Sequence, residues 1–182
     1  MLTTNEKEIN ERARSLKSLA FGKNNKFMHT NIGFNYRMTN LQAAVGCAQM
    51  ERIEHIIQSK KRLATAYNSN LKNEKLLVLP IQKDYAKNIY WMYHLSLDPS
   101  IASYRKKIMD DLKEKGVETR EGFIPFNLQN LFIQKGLTHP DDCPEAAKMA
   151  YNSFYLPSAP TISDEDIKYI SDHLLETLQS YK

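Results

Sequence analysis

Between Leu41 and Leu71 apolar residues return at three- and four-residue steps, through Ala44, Val45, Ala48, Ile53, Ile56, Ile57, Leu63, Ala64 and Tyr67. That spacing lays them along the side of an α-helix, because strand side chains repeat every two residues. Thr39 followed by Gln42 supplies a capping pair at the start. The spacing predicts one long helix, bending near Gly46 or Gln58, whose apolar side needs a cover from the rest of the chain.

The flanking segments predict that cover. Met1 to Thr4 reads as the end of a strand, and Asn5 with Glu8 as a cap for a helix over 6–19. Residues 20–38 lose all period and form a long loop, which in a compact domain is usually functional or disordered. Leu76 to Leu79 and Ile89 to Leu97 are strand-like, with Trp91 and Tyr93 expected to pack a core. Ser100 or Ser103 opens a helix carrying Tyr104, Ile108 and Leu112, closed by Gly116. Val117 to Thr119 and Phe123 to Pro125 add strand. Pro144 begins a helix to about Ser153, and Ser163 caps a last helix, with Ile162 and Ile167 as a hydrophobic staple. The expected class is α/β, turning to α+β in the C-terminal part, with a small mostly antiparallel sheet packed by helices.

Composition removes several function classes. With 25 basic against 21 acidic residues the net charge is +4, too mild for a duplex-binding surface. The clusters Lys60-Lys61-Arg62 and Arg105-Lys106-Lys107 fall in helical patterns and read as solvated faces. Cys47 and Cys143 have no partner at metal-ligand or CxxC spacing, and the histidines are scattered, so no metal site is expected. No stretch is long and apolar enough for a membrane span and no signal peptide opens the chain, so a cytoplasmic protein is expected.

The stretch GFNYRMTN, Gly33 to Asn40, carries chemistry. In an extended chain Phe34, Tyr36 and Met38 point one way while Asn35 and Arg37 point the other. The planar fork of arginine suits phosphate or carboxylate, and the helix start beyond Thr39 adds unpaired N–H groups and a positive dipole end. On residues alone this is an anion site, or else Arg37 and Asn35 satisfy groups of their own fold.

The wording GFNYRMTNLQAAVGCAQMERIEHI resembles the segment after the cofactor lysine region in the DegT-type nucleotide-sugar aminotransferases, which use pyridoxal phosphate (PLP). TTNEKEINERARSL, NIYWMYHLSL, KGVETREGFIPFNLQ and CPEAAKMAYNSFYLPSAPTISDEDIKYI follow in the family's order, and the wording is most similar to the perosamine-synthase-like branch. The resemblance implies the C-terminal portion of a fold-type-I aminotransferase acting as a homodimer, with Asn35 and Arg37 reaching the cofactor phosphate of a partner subunit. It implies a tail of the cofactor domain over 1–50 and the small C-terminal domain over 51–182. It also implies substrate contacts from Arg120 and His29, although Glu121 and Gly122 stand where the family continues with proline and aromatics. Asn127 stands where members often have histidine.

The same resemblance places the lysine that holds the cofactor upstream of Met1. No catalytic residue is therefore assigned in this chain, and it is expected to be inactive without the missing half. The implied reaction converts a nucleotide-linked keto sugar to an amino sugar for surface polysaccharide, with glutamate as donor. The competing expectation is a non-catalytic module that binds an anion or a protein through residues 33–40.

Overall fold

The computed structural model describes residues 2–22 and 27–181, and the chain separates into two compact units, Met1–Ile53 and Glu54–Lys182. In the first unit α1 spans Lys7–Leu16 and α2 spans Asn40–Glu51. The expected Asn5–Glu8 cap does not form: Glu6 is the capping position and makes no side-chain cap bond. Its N–H donates instead to Thr4 Oγ1 at 3.0 Å. Residues 2–4 are not strand, and Met1 lies outside the described residues. The helix also ends three residues early, because Leu19 and Ala20 take positive φ of 66° and 51°. Such angles disfavour any residue with a Cβ and end a right-handed helix.

The long helical signal is two helices. α3 spans Ile53–Leu71, and the break falls at Arg52, φ −106° and ψ 4°, rather than at Gly46 or Gln58. α2 buries no residue along its length, whereas α3 buries Leu63, Ala64, Tyr67 and Leu71 on one side.

The second unit is built on a four-stranded antiparallel sheet in the order β1-β2-β4-β3. Numbered along the chain, β1 is Leu77–Val78, β2 Tyr93–Leu97, β3 Arg120–Glu121 and β4 Ser153–Leu156. Tyr93, Leu95 and Leu97 alternate into the core from β2. β2 starts four residues later than its pattern predicts, because Tyr90 has φ 49° and its N–H is taken by Asn88 Oδ1 at 2.8 Å. Trp91 therefore lies outside the strand and is 67% exposed, contrary to the expected core role, while Tyr93 is fully buried. The expected strands at 117–119 and 123–125 are replaced by Arg120–Glu121 between them.

Four more helices complete the unit: α4 Arg105–Glu114, α5 Asn130–Gln134, α6 Pro144–Asn152 and α7 Asp164–Gln179. α4 is closed by Gly116 at φ 76°, and α7 starts on a Ser163–Asp166 capping box. Ile108 and Leu112 of α4 and Ile167, Leu174 and Leu178 of α7 join Tyr67, Leu71 and Phe154 in one core. Each such side chain gains about 1.5–3 kcal/mol from leaving water. The rings of Tyr67 and Tyr93 lie 4.6 Å apart, and their hydroxyls donate to Pro157 O at 2.9 Å and Asn68 Oδ1 at 2.7 Å. Burial raises the pKa of both tyrosines, so both stay protonated donors.

Two cationic clusters are not simply solvated. Lys60 Nζ donates to Trp91 O at 2.8 Å and to Ser158 O, and Arg62 pairs with Asp164. Arg105 Nη1 donates to Ala150 O at 3.0 Å and Ser153 O at 3.1 Å. These side chains donate to carbonyls near the ends of β2, α6 and β4.

Candidate functional site

In the first unit the loop returns antiparallel to the end of α1. Phe34 N–H donates to Leu16 O at 2.7 Å, Leu19 N–H to Phe34 O at 3.1 Å, and Tyr36 N–H to Lys17 O at 2.9 Å. Gly33 permits this pairing, since a Cβ there would sit 2.3 Å from the carbonyl carbon of Leu19. Below about 3 Å the backbone itself would have to move.

The rings of Phe34 and Tyr36 stack at 5.2 Å and 4°. Alternation in the extended chain then directs Asn35 and Arg37 to the opposite side. Both are exposed, and neither side chain bonds to any described residue. Thr39 and Gln42 form the expected capping box at α2, which occupies the Gln42 N–H with Thr39 Oγ1 at 3.2 Å. The N–H groups of Asn40 and Leu41 keep no acceptor among the described residues. A guanidinium, a carboxamide and two helix-end N–H groups, with no carboxylate paired to them, form a donor set for a bound anion.

His29 belongs to the same loop. Its Nδ1 donates to Leu19 O at 2.7 Å, and its ring sits 5.0 Å from that of Phe21. The bond fixes the proton on Nδ1 and leaves Nε2 as an acceptor at the surface.

Arg120 lies in the second unit, on β3 opposite Tyr155. Its guanidinium carbon is 5.1 Å from the centre of the Phe123 ring, and it pairs with no carboxylate among the described residues. Neighbouring Glu121 faces Arg105 at 3.6 Å instead. Arg120 borders a cleft of 670 Å³ that Lys60, Trp91, Tyr155 and Ser158 also line. Burial lowers the pKa of Lys60, and its two carbonyl bonds make it a strut for the cleft wall. Sequence reading missed that wall: Lys60 reads as surface charge, and the strut depends on a carbonyl 98 residues away. Asn127 is buried and donates to Pro140 O at 2.7 Å, so its amide serves the fold.

The family model of DegT/DnrJ/EryC1/StrS aminotransferases matches residues 1–175. The chain belongs to this family. It is 32% identical over 176 residues to a GDP-perosamine synthase of Escherichia coli O157:H7, covering 97% of this chain and 46% of that protein. Its fold is similar to that of Helicobacter pylori PseC, an aminotransferase of pseudoaminic acid biosynthesis, with a TM-score of 0.85 and 23% identity over 97% of this chain and 48% of that one. NtdA from Bacillus subtilis with bound cofactor PMP superposes with a TM-score of 0.80 at 22% identity, over 97% of this chain and 41% of that one. The chain thus spans about half the length of the relatives it matches.

Enzymes of this family use PLP. The donor set around Asn35 and Arg37 fits the phosphate of that group, which asks for a planar fork, N–H donors and no adjacent anion.

Proposed function

We propose that this chain is the C-terminal half of a PLP-dependent aminotransferase that converts a nucleotide-linked keto sugar to an amino sugar for surface polysaccharide. The observation that carries this reading is the exposed pair Asn35 and Arg37, whose side chains bond to no described residue, immediately ahead of the α2 N-terminus. Arg37 would grip two phosphate oxygens through its fork, and Asn35 and the first N–H groups of α2 would take the remaining lone pairs. Within a homodimer that phosphate belongs to a partner subunit.

When bound, PLP supplies an electron sink for the bond broken at the substrate carbon. This chain's residues bind and orient. Arg120, held over Phe123 and paired with no carboxylate among the described residues, attracts the anionic part of the sugar nucleotide. His29 offers Nε2 as a hydrogen-bond acceptor for a sugar hydroxyl. No lysine of this chain is assigned the covalent role, which falls to the upstream half, and glutamate is the amino donor.

The test is reassembly. Borohydride reduction of the 182-residue chain with PLP leaves no single lysine labelled. Co-expression with a cofactor domain from a related synthase restores one labelled lysine, on that domain, together with glutamate-dependent amination of a nucleotide keto sugar. Stoichiometric labelling of one lysine in the isolated chain would overturn the reading.

A further inference from the structure

We propose that His94 is a positioning residue for Arg120, acting through Tyr155 and Phe123, and that it works as a switch: the arrangement holds while the imidazole is neutral and loosens when it gains a proton. The inference goes beyond the reading above and rests on it only for what Arg120 binds.

The strand register lines these residues up. His94 of β2 and Arg120 of β3 both stand opposite Tyr155 of β4, and residues directly opposite one another in a sheet share a face. Because Tyr93, Leu95 and Leu97 enter the core, the row lies on the other face. Ring contacts extend it. The His94 ring is 4.6 Å from that of Tyr155, the Tyr155 ring is 5.7 Å from that of Phe123, and the Arg120 guanidinium sits 5.1 Å over Phe123. The Arg120 side chain has no hydrogen-bond acceptor among the described residues, so the stack beneath it decides where its donors point.

The first ring of the row is held by one short bond in a tight slot. His94 Nε2–H donates to Ser153 Oγ at 2.5 Å, and the Ser153 hydroxyl donates in turn to Met149 O. Gly122 makes the room, since a Cβ there would sit 2.6 Å from Ser153 Oγ.

An added proton enters at Nδ1, which has no acceptor among the described residues. The surrounding charges do not welcome it. Arg105, at the start of α4, already donates to Ala150 O and Ser153 O beside the bond, and Arg120 stands beyond Tyr155. Glu121 of β3 is taken by Arg105 at 3.6 Å, and on α6, which packs against β2, Glu145 is taken by Lys148 at 3.2 Å. A further cation in this half-buried slot therefore lacks a counter-ion, and burial lowers the pKa of His94 accordingly. Turning out to water relieves the charge and removes the ring that backs Tyr155, so Phe123 and Arg120 lose their support.

The test is a pH titration of the intact 182-residue chain by NMR, from about pH 8 to about pH 5, with the His94 ring protons and the Arg120 Nε–Hε group assigned by triple resonance. At neutral pH the Phe123 ring current sets the Arg120 signal apart. That signal is expected to move toward the position of an unstacked arginine with the midpoint of His94, below 6.5, while far-UV circular dichroism stays constant. In His94→Gln, whose amide still donates to Ser153 Oγ, it is expected to stay in place across the range.

An Arg120 signal that ignores the titration of His94 overturns the proposal; Tyr155 then holds the imidazolium in place through its π face. An equal movement in His94→Gln overturns it as well. The coincidence of midpoints is read in the unmodified chain, so the test stands even where the variant does not fold. Transamination on reassembly with Arg120 indifferent to His94 would defeat the switch and spare the enzyme reading. Coupled midpoints without transamination would do the reverse.

Discussion

Asn35 and Arg37 are exposed and bond to no described residue, so truncating either removes nothing that the fold uses. Arg37→Ala is expected to change urea stability by less than about 0.5 kcal/mol, the usual range for such surface positions. In the reassembled enzyme the same substitution should weaken PLP binding about tenfold or more, since a hydrogen bond to a charged group is worth about 1.5–3 kcal/mol. Cofactor titration of the two proteins measures it. His94 behaves oppositely. Its Nε2–H donates to Ser153 Oγ at 2.5 Å, because the Ser153 hydroxyl is already committed to Met149 O. Burial lowers the folded pKa of His94 below 6.5, so the folded state binds the proton less readily than the unfolded chain. The stability it contributes is complete above the unfolded pKa and is lost as pH falls from there through the lowered folded value. Urea unfolding at about pH 7.5 and about pH 5.5 should show this loss, and His94→Gln should reduce it.

At the scale of elements, legibility followed locality. The Thr39 and Ser163 capping boxes, the Gly116 terminus and the α6 start at Pro144 all depend on neighbours within a few residues, and each stands where its pattern put it. β4 was not read at all: Ser153–Leu156 is only four residues long and follows α6 without a break, yet it is an inner strand of the sheet. Its place depends on pairing Phe154 with Leu95 and with Glu121, each over thirty residues away. The clusters at Lys60 and Arg105 failed for the same reason, since their carbonyl acceptors come from distant segments. Lys60→Met should therefore destabilise the chain by about 0.5–1.5 kcal/mol, the net worth of a hydrogen bond, since one acceptor is exposed and the other only part-buried. Thermal unfolding measures this, and an unchanged midpoint would show that water replaces the strut.

For the molecule as a whole, the two units differ in how well they cover their apolar residues. The second has a continuous core. In the first, Ile32, Tyr36, Met38, Leu41, Val45 and Met50 are each more than half exposed, and α2 buries nothing. Apolar surface of that kind marks an interaction site. The isolated chain is expected to bind a hydrophobic dye and to self-associate, as light scattering would detect. Leu41→Glu combined with Val45→Glu should suppress both without lowering stability. A monomer indifferent to the dye would instead mark an independent domain.

Periodicity, caps and the wording of GFNYRMTN gave the helical segments, apart from α5 and the break between α2 and α3, and with them the fold class and the family, because each is written in residues close together along the chain. Which strand lies inside the sheet and which lysine braces a cleft were settled by contacts between remote segments. Backbone groups left unpaired at the ends of elements must find partners wherever packing brings them, and no local pattern records that choice.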